Sequence, residues 1–399
     1  MTERPLRVLI ASDTYPPDVN GAGYFTHRLA EGLAGRGHRV HVVCPSERGE
    51  PHVTVNGAVV EHRLRSAPIP FMRAAVPLGM GGHIARIVER LDPDVVHAQS
   101  HFPLSRAAMR RGRAAGVPVV LTNHFMPDNL YAHARIPAPM QELAGLLAWR
   151  DMVRVAGEAD HVTTPTPRAA RLLREKGFTR GVEAISCGID LERFRPHEDP
   201  AAARRRFGLP DRDTIVFVGR LDAEKRIDDT IRALARIVPG RDAQLALAGT
   251  GQRGEELRAL AAELGVADRV FFLGFVPDED LPLVYGAGDA FAIAGVAELQ
   301  SIATLEAMST GLPVVAADAM ALPHLVEEGR NGFLFPPGDP ALLADRLLLV
   351  LGPRGRALGA ASRELARRHD HHRSLERFEE VYTRLRGTAP ARGERPVAA

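Results

Sequence analysis

The feature that most constrains the fold is a pattern that runs twice: short apolar stretches of strand length alternating with stretches of helical periodicity. In the first half Arg7–Ser12 (RVLIAS), Arg39–Pro45 (RVHVVCP), Asp94–Gln99 (DVVHAQ), Val119–His124 (VVLTNH) and His161–Thr166 (HVTTPT) read as buried strands. Phe25, Leu29 and Leu33 recur at helical spacing between the first two. The series restarts at Thr214–Leu221 (TIVFVGRL), with a helix from about Arg226, and continues through Gln244–Gly249, Arg269–Phe275, Ala290–Ala294 and Pro313–Ala317. Strands that are apolar on both faces and separated by helices imply a parallel sheet covered on both sides. A chain of 399 residues is too long for one ordinary core. The expected architecture is therefore α/β, with two Rossmann-like, doubly wound parallel-sheet domains facing a central cleft. The break falls in the polar stretch Ile189–Pro200 (IDLERFRPHEDP), which holds two prolines. Residues 1–190 are expected to form the first domain and 200–372 the second. A last helix is expected over 373–386, and a disordered tail over 387–399 (GTAPARGERPVAA).

Composition removes several function classes. Lys and Arg total 51 against 49 Asp and Glu, so the basic footprint of a nucleic-acid-binding protein is missing. Two cysteines, Cys44 and Cys187, are too few for a disulfide framework and fit a reducing cytoplasm. No apolar run reaches bilayer-spanning length, and Met1–Arg7 is short and polar, unlike a signal peptide. The expectation is a cytoplasmic protein that meets any membrane from one side.

Parallel sheets bind ligands beyond the carboxyl ends of their strands, so chemistry is sought just after each strand. In Glu298-Leu-Gln-Ser-Ile-Ala-Thr-Leu-Glu306 two carboxylates flank a loop and the first turns of a helix. Ser301 is a good N-cap, and the amides around Gln300–Ala303 form an anion site suited to a phosphate. Glu298 stands beside that site, and Glu306 lies more than a turn further on, within reach of a ribose. The plain alternative is two helix-surface glutamates. In Val218-Gly219-Arg220-Leu-Asp-Ala-Glu-Lys225-Arg226 a glycine, a guanidinium and an ammonium follow a strand and can clamp a diphosphate. Asp222 and Glu224 equally suit a solvated charged turn. Gly21-Ala22-Gly23 opens a helix after the first strand but is not a dinucleotide fingerprint, because Thr26 holds the third glycine position. His124 ends the strand VVLTNH, and Gly249-Thr250-Gly251 follows another. Asp92-Pro-Asp94 precedes its strand and reads as a turn, and His369-Asp-His371-His372 reads as a polar linker rather than a metal site.

Taken together these segments resemble the retaining GT-B glycosyltransferases of family 4, from about Arg7 to Phe378. The carrying residues are TYPPDVNGAGYFTHRLAEGLAGRGHRVHVV, VGRLDAEKR, LGFVPDEDLPLVYGAGDAF and ELQSIATLEAMSTGLPVVA. The resemblance implies transfer of a hexose from a nucleotide-diphospho-sugar such as GDP-mannose or UDP-glucose, with retention and without a metal or other cofactor. It implies that Arg220 and Lys225 bind the diphosphate, with Gly219 and Gly251 at the same strand ends. Glu298 would hold sugar hydroxyls, amides of Gln300, Ser301 and Ile302 the distal phosphate, and Glu306 the ribose. His124 would meet the donor from the first domain, Gly21 and Gly23 would let the first loop approach the diphosphate, and the last helix would cross back onto that domain. The chain departs from the family pattern in Gly21-Ala22-Gly23 for a Gly-Gly pair, Gln300 for an aromatic, Ser301 for a glycine, and Cys187-Gly188 for Asn-Gly.

The acceptor side is expected in the first domain. Ile69–Leu91 carries Arg73, Arg86 and Arg90, and Arg106, Arg110, Arg111 and Arg113 form a basic run. Met140, Leu143, Leu146, Leu147 and Trp149 add an apolar stripe beside Arg150. Such a surface suits an anionic lipid, at the inner face of the cell membrane, or else an amphipathic helix packed on the core. Two alternatives to a transferase stay open: a nucleotide-sugar 2-epimerase of the same fold, and a non-catalytic sugar-nucleotide-binding protein.

Overall fold

The structure, a computed structural model, describes residues 4–17, 20–68, 75–77, 79–127 and 138–388. Arg73 and residues 389–399 of the tail lie outside the described residues. The chain divides into two compact units, Met1–Ser186 with His372–Ala399, and Cys187–His371.

In the first unit the elements run β1 (Arg7–Ala11), α1 (Gly21–Gly35), β2 (Arg39–Pro45), β3 (His52–Asn56), β4 (Val59–Leu64), β5 (Ser66–Pro68), β6 (Ala75–Pro77), α2 (Met80–Leu91), β7 (Val95–Ala98), α3 (Pro103–Ala114), β8 (Val119–Thr122), α4 (Ala138–Ala156), β9 (His161–Thr164), α5 (Pro167–Glu175) and β10 (Val182–Ala184). Eight strands order as β10-β9-β8-β7-β1-β2-β4-β3, and only the edge strand β3 runs antiparallel to its neighbour. The inner strands are Val-rich and buried on both faces, as the apolar runs require.

In the second unit follow α6 (Pro200–Arg206), β11 (Asp213–Val218), α7 (Ile227–Ile237), β12 (Ala243–Ala248), α8 (Gly254–Glu263), β13 (Val270–Gly274), α9 (Leu281–Gly286), β14 (Ala290–Ile293), α10 (Ile302–Ser309), β15 (Val314–Ala317), β16 (Gly332–Phe335), α11 (Pro340–Val350) and α12 (Gly355–Ala366). Its six strands order as β13-β12-β11-β14-β15-β16, all parallel. The last helix, α13 (His371–Thr388), belongs almost wholly to the first unit. There Glu379 accepts from Arg36 at 2.8 Å and pairs with His38 at 2.9 Å, and the Tyr382 hydroxyl meets His97 Nδ1 at 2.6 Å.

Each sheet has a switch point beside its first strand. In the second unit it lies between β11 and β14, and in the first between β1 and β7. Loops leaving those paired strands diverge to opposite faces, which opens a crevice at their carboxyl ends. Gly219–Arg220 leaves β11 and Glu298–Ser301 leaves β14, so two of the chemical motifs flank one switch point.

Candidate active site

Around the second unit's switch point the loop after β11 ends in a single turn at Ala223–Lys225, and the loop after β14 lies against it. Val296 N–H donates to the Glu224 carbonyl at 3.0 Å, and this bond brings the two motifs together. Lys225 Nζ then reaches Glu298 Oε1 at 2.5 Å, with both side chains largely buried. Arg220 is held by Asp222 Oδ2 at 2.6 Å and Glu224 Oε1 at 2.9 Å, so two carboxylates fix the orientation of its fork. The charged-turn reading and the diphosphate-clamp reading thus share the same atoms. The two loops supply the acids that hold both cations in place.

Glycines let these loops meet. A Cβ on Gly249 would overlap the Gly219 carbonyl oxygen, and one on Gly251 would overlap the Leu221 backbone. Gly249 also adopts φ +141°, a region open to glycine alone in practice. Gly251 therefore serves the packing of the β11 and β12 loops. Gly219 sits at the junction, its N–H donating to Ala248 at 3.0 Å.

Ser301 is the N-cap of α10, and its Oγ accepts from the Thr304 N–H at 3.2 Å and the Thr304 hydroxyl at 2.8 Å. Ile302 and Ala303 follow in the first turn, where a helix supplies no carbonyl four residues back. Gln300 Oε1 accepts from the Cys187 N–H at 2.6 Å and so ties the Cys187-Gly188 segment to the start of α10. Glu306, one turn further on, is 4 % exposed and accepts from the Tyr285 hydroxyl at 2.8 Å. Phe275 belongs to the LGFVPDEDLPLVYGAGDAF segment, which the family resemblance assigns to the nucleotide base; it follows β13 directly and is 57 % exposed.

In the first unit Asn20 caps α1 by accepting from the Gly23 N–H at 2.8 Å, and Gly21 is exposed at the helix start. Asp13, in the same loop, is a structural residue: it accepts from the Leu104 and Ser105 amides and from the Ser100 and Ser105 hydroxyls, and so caps α3. His124 lies just past β8, its ring 4.7 Å from that of Phe25 on α1. Its Nε2 donates to Gln99 Oε1 at 3.0 Å, and that bond places the ring proton on Nε2 and an acceptor lone pair on Nδ1. Gln99 continues to His97, which meets Tyr382 and, at 2.6 Å, Thr122. Burial pushes both His97 and His124 down to about 3, so the whole chain of groups is neutral at physiological pH.

Other expectations fall differently. Arg106 is bound by Asp151 and the His101 carbonyl, so its charge is spent inside the unit. Trp149 leaves the apolar stripe, because it is buried in the core. Met140, Leu143, Leu146 and Leu147 of α4 are 55–60 % exposed. Asp94 accepts from the Arg7 amide and from Arg4, which accounts for the Asp92-Pro-Asp94 turn. Asp370, His371 and His372 bring one ligand-type atom each within 4.8 Å of one another. Among the described residues no helix is long and apolar enough to cross a membrane.

Comparison with known proteins shows the family and the fold. The family described as "Glycosyltransferase Family 4" matches residues 19–193, and "Glycosyl transferases group 1" matches residues 212–352. The chain is 31% identical over 395 residues to D-inositol 3-phosphate glycosyltransferase of Nocardia farcinica, covering 89% of this chain and 83% of that one. It is 29% identical over 374 residues to a GDP-mannose-dependent alpha-(1-6)-phosphatidylinositol monomannoside mannosyltransferase of Mycobacterium tuberculosis, covering 90% and 93%. In fold it is similar to sucrose-phosphate synthase from Thermosynechococcus elongatus, with a TM-score of 0.78 at 23% identity over 94% of this chain and 98% of that one. Two parallel α/β units with those motifs at their strand ends, together with these matches, mean that the chain belongs to glycosyltransferase family 4 and is a hexosyltransferase of the GT-B fold.

Proposed function

We propose that the chain moves mannose or glucose from a nucleotide-diphospho-sugar to a phosphate-bearing cyclitol or inositol lipid, with retention of configuration and without a metal ion. The observation that carries this is the Lys225–Glu298 pair at the mouth of α10. The barrier in glycosyl transfer lies in parting a glycosyl cation from a diphosphate. Arg220, Lys225 and the Ile302 and Ala303 amides supply positive charge where the leaving group grows negative, the role of an oxyanion hole. Glu298 then exchanges its ammonium partner for donor-sugar hydroxyls. The acceptor hydroxyl attacks the anomeric carbon on the face the diphosphate leaves, and the departing phosphate oxygen takes its proton. Two cationic side chains and two helix N-terminal amides do what a divalent cation does elsewhere. In the first unit His124 offers its Nδ1 lone pair to a sugar hydroxyl, with Gly21 and Gly23 at the start of α1 beside it in the same unit.

The acceptor class comes from the relatives, which act on D-inositol 3-phosphate and on a phosphatidylinositol mannoside. Peripheral contact with the inner face of the cell membrane is supported by the exposed stripe of α4 beside Arg150, an apolar face with a basic flank.

A thermal-shift screen of UDP, GDP and ADP with their sugars identifies the donor, because a ligand of the native state raises the melting temperature. Labelled donor without acceptor tests the reaction class: slow hydrolysis is expected. Isomerised sugar would mean an epimerase, and binding without turnover a non-catalytic protein. Two local predictions accompany it. Phe275→Ala is expected to weaken nucleotide binding by about tenfold, the value of one base stacked on an aromatic ring, with the melting temperature unchanged. Gln99→Leu is expected to lower kcat about tenfold at unchanged nucleotide affinity, since it frees the His124 ring to turn. Equal losses in kcat and nucleotide affinity would place Gln99 in general packing instead.

A further inference from the structure

The first unit holds a cavity of about 490 Å³ on the face of its sheet that α2 partly covers. Arg7, Arg39 and His41 from β1 and β2, His62 from β4 and Val53 from β3 contribute to it, and α2 closes it with His83, Arg86 and Arg90. Its size is that of a small-molecule site. Its chemistry is one-sided: among the described residues that line it are five arginines and four histidines, and no carboxylate. Two of those charges are already answered, Arg7 by Asp92 at 3.0 Å and Arg63 by Glu61 at 2.6 Å. Arg39, Arg86 and Arg90 form no ion pair among the described residues. All three are exposed, and among the described residues only Arg86 makes a side-chain hydrogen bond, to the Gly82 carbonyl. Arg7 Nε is buried with no hydrogen-bond partner.

The middle of the cavity is a histidine pair. His41 Nδ1 meets His62 Nε2 at 2.8 Å with the rings stacked 5.1 Å apart. A single proton occupies that bond. Whichever ring supplies it, one of the two remaining nitrogens carries a proton and the other a lone pair. The pair therefore always presents one N–H donor. Like charges crowded at one cavity repel unless a counter-anion sits among them, and guanidinium forks match phosphate oxygens in geometry.

We propose that this cavity is a binding site for a phosphate group, distinct from the diphosphate clamp on the second unit and independent of the donor. Arg39 and Arg90 clamp the phosphate oxygens, and the histidine pair donates one further hydrogen bond. A lipid headgroup and a soluble phosphate ester share this chemistry.

The test uses the full chain carrying Arg220→Ala and Lys225→Ala, so that the second unit's clamp contributes nothing. Inorganic phosphate titrated into this chain by calorimetry is expected to bind at one site. Adding Arg39→Gln and Arg90→Gln is expected to weaken that binding about tenfold or more, whereas Arg39→Lys and Arg90→Lys retains most of it, with equal melting temperatures as the folding control. Phosphate binding that the glutamines leave unchanged, or no binding in the parent chain, overturns the proposal. Vesicles of phosphatidylcholine with and without phosphatidylglycerol separate the sources. Sedimentation with the anionic vesicles that depends on Arg39 and Arg90 and is displaced by inorganic phosphate assigns the site to a lipid headgroup. Phosphate binding without sedimentation assigns it to a soluble ester.

Discussion

Lys225→Ala is expected to lower both transfer and donor hydrolysis by about 10³-fold while the nucleotide still binds, a loss of about 4 kcal/mol of transition-state stabilisation. The argument rests on where charge changes. On the proposed reading the diphosphate is already doubly charged in the ground state, and the second unit's amides and Arg220 would hold it. As the glycosidic bond breaks, charge concentrates on the leaving oxygen, and an ammonium placed there acts mainly on the transition state. Removal also strands Glu298, whose side chain is 11% exposed, and an unpaired buried carboxylate destabilises a fold. The companion Lys225→Ala/Glu298→Gln removes both charges together, and its melting temperature is expected within a few degrees of the parent. Single-turnover rates on labelled donor, read beside nucleotide affinity, separate the two effects. A lysine variant that turns over within tenfold of the parent would end the leaving-group role.

How much of this was legible in the sequence differs by element. The ten strands read from apolar runs are all present, because inner strands of a parallel sheet carry their burial in composition alone. Of the six missed strands, β4 (VVEHRL) and β16 (GFLF) carry only short apolar runs, and the other four have none. β3 is an edge strand with Val53 and Val55 exposed, β10 has three residues, and β5 and β6 pair only with each other. The Ser301 cap was legible from residue type and position. The site's polarity was legible only in part. The Asp222 and Glu224 partners of Arg220 lie within four residues of it and are legible as a charged turn, whereas the hold of Gln300 on the Cys187 amide spans 113 residues and depends on how loops pack. Trp149 illustrates the same limit: it shares the helical period of Leu143 and Leu146, but its own face of α4 is the buried one. Gln99, His97 and Tyr382 could not be joined from sequence, because Tyr382 stands 285 residues beyond His97.

Buried histidines lead to the second large expectation, a loss of stability between pH 7 and pH 5 to which His97 and His101 alone contribute roughly 4 kcal/mol. His97 is wholly buried and held down to about 3, by burial first and then by the neighbouring His124 and His161. His101 is held down to about 4, by burial and then by Arg106, with Asp151 opposing. In the unfolded chain both return to about 6.5. The unfolded state therefore takes up protons first as the pH falls. Stability is fully present above about 6.5 and is lost progressively below it, until the folded values are reached. At pH 5 each histidine accounts for roughly 2 kcal/mol. Urea midpoints measured between pH 7 and pH 5 check the slope, and His97→Gln is expected to remove roughly 2 kcal/mol of the loss, the share of one histidine, while His124, His41 and His369 still contribute theirs. A midpoint that stays level over that range would mean the imidazoles reach water. Because His97 braces Gln99 and Gln99 braces His124, the acid limb of activity is expected to follow this unfolding. His124 itself stays neutral throughout the window and adds no titration of its own to the rate profile.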